Sequence, residues 1–167
     1  MVPTLEKNSA LYRRAAFLLN EAQHKARRDQ VITFTMRVLS NYATVGKDGG
    51  SSKMKDENVR LSSGAYDLMG KVSSIGDWHK LTVNEHPRPL KDIWSWILAE
   101  ADEISPFDVW NCFVDHPMIT LTKTEDSLLS KSGLRATAAP DRYSSLGIET
   151  IEVDEPPRDI IRARLQV

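Results

Sequence analysis

A chain of 167 residues, 41% apolar and 27% charged, is long enough to bury a core without disulfide or metal staples. It holds no apolar run near the length of a membrane-spanning helix, and its single cysteine excludes an internal disulfide. The net charge of −1 hides an imbalance: residues 1–60 carry 11 Lys/Arg against 6 Asp/Glu, whereas residues 61–167 carry 11 against 17.

The opening Met1-Val-Pro-Thr-Leu-Glu6 lacks the charged-then-apolar layout of a secretory signal. With one cysteine, this gives the expectation of a cytoplasmic protein folded as one domain over 1–167. Residues 9–30 predict the first helix, with Ser9 as N-cap. Leu11, Ala15, Leu18, Leu19, Ala22 and Ala26 recur at three- and four-residue steps and form its apolar stripe. Arg13, Arg14, His24, Lys25 and Arg28 fall opposite, with Phe17 among them, so the outer face is basic and carries one aromatic ring.

In the next run, Ile32, Phe34, Met36 and Val38 alternate with Thr33, Thr35 and Arg37, which predicts a half-buried strand over 31–38. Leu39 and Tyr42 would also fit a continuing helix. The Gly- and Ser-rich stretch 45–55 predicts a flexible loop; its lysine precedes the paired glycines, which is the wrong order for a phosphate-binding loop. A weaker helix, interrupted near Gly64, is expected from about Asp56 to Val72.

All four tryptophans, three of the four histidines and the cysteine lie between Trp78 and His116. Pro89 suits the first turn of a helix whose buried stripe is Leu90, Ile93, Trp94, Ile97, Leu98 and Ala101. Ser105-Pro106 opens a further helix, apolar nearly all round through Phe107, Val109, Trp110, Cys112, Phe113 and Val114, which places it in the core. Cys112 reads there as a small buried hydrophobe. Runs 118–122 and 148–153 read as short strands, separated by a helix from Glu125 to about Ser130 that Thr122 with Glu125, or Thr124 alone, caps and Gly133 stops. Residues 158–167 form a charged tail. The fold expected is α+β, predominantly helical, with a small β-sheet from the 31–38, 118–122 and 148–153 runs.

Two kinds of chemistry can be sought in this pattern. Glu85, His86, Asp115 and His116 pair carboxylates with imidazoles, the donor types of an acid–base or metal site, with His86 and His116 as the metal ligands. None of the usual ligand spacings joins them, so this metal-dependent hydrolase or nuclease reading ranks third. The better-formed candidates are recognition residues: Arg13, Arg14, Phe17, Lys25 and Arg28 on the first helix, and Arg135, Arg142 and Tyr143 on a later loop, of the types that anchor interfaces. The expectation is therefore a non-enzymatic cytoplasmic protein of inhibitor, immunity or adaptor type. It needs no cofactor and contacts another protein rather than a membrane. Nucleic acid bound by the basic helix face is the second reading.

Overall fold

The computed structural model describes residues 3–166. In chain order the elements are α1 (Ala10–Gln23), α2 (Gln30–Val45), α3 (Ser51–Glu57), β1 (Arg60–Ser62), α4 (Ser63–Met69), α5 (Ile75–Leu81), β2 (Thr82–Glu85), α6 (Leu90–Glu100) and α7 (Pro106–Val114). They continue with β3 (Ile119–Thr122), α8 (Lys123–Lys131), single 3-10 turns at Leu134–Ala136 and Ser144–Leu146, β4 (Thr150–Glu152) and α9 (Pro157–Leu165). This is an α+β protein, mostly helical. Among the described residues no helix is long and apolar enough to cross a membrane.

The chain groups into two compact units, each assembled from two separated stretches. The first comprises the described residues of Met1–Asp48 together with Arg88–Pro117, and it is all helical. Ser9 caps α1 by accepting from the Tyr12 N–H at 3.1 Å, as expected, and Ala15, Leu18, Leu19 and Ala22 are buried. They pack with Ile32, Met36 and Leu39 of α2, Ile93, Trp94 and Ile97 of α6, and Val109, Trp110, Cys112 and Phe113 of α7. Ser105 and Asp108 form a full capping box on α7 with Pro106 in its first turn. Cys112 is buried and receives a contact from an Arg88 guanidinium nitrogen at 3.3 Å; burial pushes its thiol pKa up.

Two expectations fail in this unit. The first helix stops at Gln23 rather than residue 30: His24 ends it, Lys25 takes the left-handed φ of 55°, and Lys25 and Arg28 lie off its face. The 31–38 run is helix, not strand. Asp29 caps α2 by accepting from the Ile32 N–H at 2.8 Å, and Ile32, Met36, Leu39 and Ala43 bury at four- and three-residue steps. The same positions that alternate over eight residues also satisfy helical periodicity over sixteen, and packing against α1 and α7 decides between them. Thr35 and Thr44 return their hydroxyls to the Val31 and Ser40 carbonyls, each at 2.8 Å, so β-branched content is no barrier to this helix.

The second unit comprises Gly49–Pro87 and Met118–Val167 and contains the sheet. Strand order is β2-β3-β1-β4, with β1 parallel to β3 and the outer pairs antiparallel. Of the three expected strands, 118–122 and 148–153 are present as β3 and β4; β1 and β2 take the place of 31–38. The expected 45–55 loop is helical from Ser51, and Met54 and Lys55 are buried in α3. The expected helix from Asp56 to Val72 is broken by β1. The tail forms α9 through Leu165.

β1 and β3 each run without a gap into a helix capped by their own last residue. Ser62 accepts from the Ala65 N–H at 3.0 Å, and Thr122 accepts from the Glu125 N–H at 3.1 Å. The Glu125 Oε2 atom receives the Ser62 hydroxyl at 2.6 Å and the Thr122 N–H at 2.8 Å, which ties the two strand–helix turns together. Trp78 is fully buried in this unit with Leu61, Met69 and Ile161, and its indole N–H has no hydrogen-bond partner among the described residues. The tryptophan-rich window of the sequence therefore supplies two cores rather than one: Trp94 and Trp110 belong to the first unit.

Candidate functional site

The recognition residues expected on the first helix form a surface on α1 and α2. Ala10, Arg13, Arg14 and Phe17 of α1 with Val31 and Thr35 of α2 line a depression of about 400 Å³. A second depression, of about 530 Å³, is lined by Arg28, Asp29, Gln30, Thr33, Phe34 and Arg37. Val31 and Phe34 stand on α2 with 57% and 58% of their surface exposed. The break at His24–Asp29 is what brings Arg28 alongside the first turns of α2 instead of leaving it on α1.

Electrostatically this surface is local and unsatisfied. Up to Asp48 the chain carries 8 Lys/Arg against 4 Asp/Glu, whereas Arg88–Pro117 carries 2 against 6, so the positive charge of the first unit belongs to its N-terminal helix pair. Among the described residues Arg13, Arg14, Arg28 and Arg37 form no ion pair. Two apolar side chains more than half exposed are thus framed by guanidinium groups that form no ion pair, an apolar centre with a charged rim. Of the residues lining these depressions, the sequence reading names Arg13, Arg14, Phe17 and Arg28 but not Val31, Phe34 and Arg37, and its strand reading gives Phe34 a buried face. The signal that could have found them was Asp29, an N-cap residue standing directly before the run.

The later loop does something different. Arg142, expected as an exposed contact residue, is 1% exposed, so it cannot meet a partner. Its Nη2 donates to Glu85 Oε1 at 2.5 Å and to the Arg135 carbonyl at 3.2 Å. Its Nη1 donates to the Pro87 carbonyl at 2.8 Å and the His86 carbonyl at 3.3 Å. The Tyr143 hydroxyl donates to the other Glu85 oxygen, and the guanidinium carbon lies 5.1 Å from the Tyr143 ring centre. Burial pushes the Glu85 carboxyl pKa up to about 7, against the downward pull of Tyr143 and Arg142, and Asp126 adds to the rise. Burial likewise raises the Tyr143 phenol, with Glu85 adding to the effect. Arg135 remains exposed and pairs with Asp126 at 3.3 Å. Glu85, Arg142 and Tyr143 thus form an internal clasp that fastens residues 135–143 to the end of β2.

Glu85, Asp115 and His116 each have a structural place within their own unit. Glu85 is committed to the clasp. His116 closes a turn through its Nδ1 on the Cys112 carbonyl at 2.7 Å, and Asp115 is the exposed C-cap of α7. Among the described residues no three His, Cys, Asp or Glu side chains gather as a metal site. One carboxylate–imidazole pair that the sequence did not single out is formed, His79 Nε2 with Asp56 Oδ1 at 2.6 Å, next to the buried Lys55. No protein-family model, curated protein or solved structure matches this chain.

Proposed function

We propose that this protein acts without catalysis, by binding an acidic surface of another protein through the α1–α2 face. It is an inhibitor, immunity or adaptor type of activity suited to the cytoplasm. The observation that carries the reading is the pair Val31 and Phe34, more than half exposed, set between depressions lined by Arg13 and Arg14 on one side and Arg28 and Arg37 on the other. Buried aromatic and aliphatic anchors give an interface its affinity, while a charged rim selects the partner and speeds encounter. A partner presenting an apolar knob ringed by Asp or Glu complements both features.

A photo-crosslinking amino acid in place of Phe34, introduced in the source cells, tests the proposal. One discrete protein adduct is expected, and it should vanish when Arg13→Glu and Arg37→Glu are added. An adduct that persists through both charge reversals, or none from position 34, overturns the reading. Phe17 and Phe34 beside arginines could equally stack on bases, which favours nucleic acid as the second reading. Under it, labelled single- and double-stranded oligonucleotides would bind with a steep salt dependence that the same reversals abolish. That result would replace the protein-partner reading.

A further inference from the structure

The two edges of the sheet in the second unit are treated differently. The β2 edge is covered. The buried Lys55 ammonium donates to the Thr82 carbonyl at 2.7 Å and the His79 carbonyl at 2.8 Å, and Asn84 reaches the Ser51 carbonyl at 3.0 Å. Arg142 closes the carbonyls just beyond the strand. An inward-pointing charge and a covering helix are standard means of blocking an edge from pairing with another chain.

The β4 edge has no such cover among the described residues. β4 pairs with β1 in the register Ser62↔Thr150, Leu61↔Ile151 and Arg60↔Glu152. The flanking bonds, Ser63 N–H to the Glu149 carbonyl at 2.9 Å and Val153 N–H to the Val59 carbonyl at 2.9 Å, assign the odd-numbered residues of β4 to β1. In an antiparallel ladder the intervening residues then direct their backbone groups away from that neighbour, so the Thr150 and Glu152 peptide groups point to the open side. Both residues are exposed.

Beside this edge lies a groove of about 460 Å³, lined by Ile151, Val153, Ile160 and Tyr66 together with Glu152, Asp154 and Glu155. Tyr66 is 47% exposed and also borders an adjoining depression of about 250 Å³ beside Asp67 and Arg164. Asp154 and Glu155 form no ion pair among the described residues, and Glu152 only a 3.7 Å contact with Arg60. Free backbone groups, an apolar floor with a half-exposed aromatic ring, and an acidic rim therefore coincide along one strand.

We propose that β4 is a docking edge for an extended segment of a partner protein in which lysine or arginine alternates with apolar residues. The segment adds as a fifth strand: its backbone pairs with Thr150 and Glu152, its apolar side chains meet Tyr66 and Ile160, and its cations meet Asp154 and Glu155. Strand addition draws affinity from main-chain bonds and specificity from alternate side-chain pockets. The acidic rim selects a basic segment, opposite in sign to the partner of the α1–α2 face, so this inference stands independently of that reading.

The test uses the full chain and a fluorescein-labelled peptide alternating lysine with valine or tyrosine. Fluorescence anisotropy should report saturable binding, and hydrogen exchange should slow at the Thr150 and Glu152 amides. Tyr66→Ala, or Asp154→Lys with Glu155→Lys, should each weaken binding by roughly tenfold or more. All three positions are solvent-facing, and circular dichroism checks that each variant stays folded. The same peptide N-methylated at alternate backbone nitrogens should not bind. Equal binding of that peptide, or equal binding of an alternating glutamate peptide, overturns the proposal. So does exchange protection of Thr150 and Glu152 that grows with protein concentration alone, since β4 would then pair with a second copy of this chain.

Discussion

Replacing Arg142 with methionine is expected to destabilise the protein by an amount that grows with pH. At 1% exposure Arg142 supplies the cation for Glu85 and donors for the carbonyls of His86, Pro87 and Arg135. Removing one partner of a buried ion pair costs about 3–5 kcal/mol, because the remaining charge is left uncompensated. That cost is conditional on Glu85 being ionised. Burial raises its carboxyl pKa from 4.5 to about 7, so in the native chain its contribution to stability is fully present below pH 4.5 and is lost as pH rises through 7. The loss is about 3 kcal/mol at 1.36 kcal/mol per tenfold change in proton affinity. Without Arg142 the carboxyl rises further and the decline continues to higher pH.

Urea unfolding followed by tryptophan fluorescence at pH 5, 6, 7 and 8 measures both chains. The gap between them should be smallest at pH 5, where Glu85 is protonated in each, and should widen by up to about 1.4 kcal/mol at pH 8, one pH unit above the native carboxyl's value. The double variant Glu85→Gln, Arg142→Met should recover part of the loss at pH 8, since it leaves no buried charge. A gap below about 0.5 kcal/mol at pH 8, the range of ordinary surface substitutions, or one that narrows as pH rises, would refute the clasp as described.

Gly64→Ala should destabilise by about 1–3 kcal/mol, the usual range for overpacking. A Cβ there would lie 2.6 Å from Glu125 Oε1, and that carboxylate is held in place by Ser62 and Thr122. Thermal unfolding reads the loss, and adding Glu125→Ala should make the glycine substitution nearly silent. Asp29→Ala should cost about 1 kcal/mol through loss of the α2 N-cap and Asp29→Asn much less, again by thermal unfolding. Equal losses in the two variants would place the effect outside capping.

The sequence by itself determined most of what is local. Ser9, Ser105-Pro106 and Thr122 with Glu125 start helices where their capping chemistry says they should, and Gly133 adopts the expected left-handed φ of 77°. The α1 stripe and the apolar α7 were legible from spacing, because a helix reports its buried face every three or four residues. What only the tertiary structure decided is long-range. Whether residues 31–38 became helix or strand depended on their packing against α1 and α7, since both periods fit so short a run. That choice exposed Phe34 and Val31 and so created the surface through which binding is proposed. Arg142 and Glu85, 57 positions apart, read as a contact residue and an acid–base candidate until folding buried them against each other. The free β4 edge was equally invisible, because strand order rests on pairings between residues far apart in the chain, which local periodicity does not record.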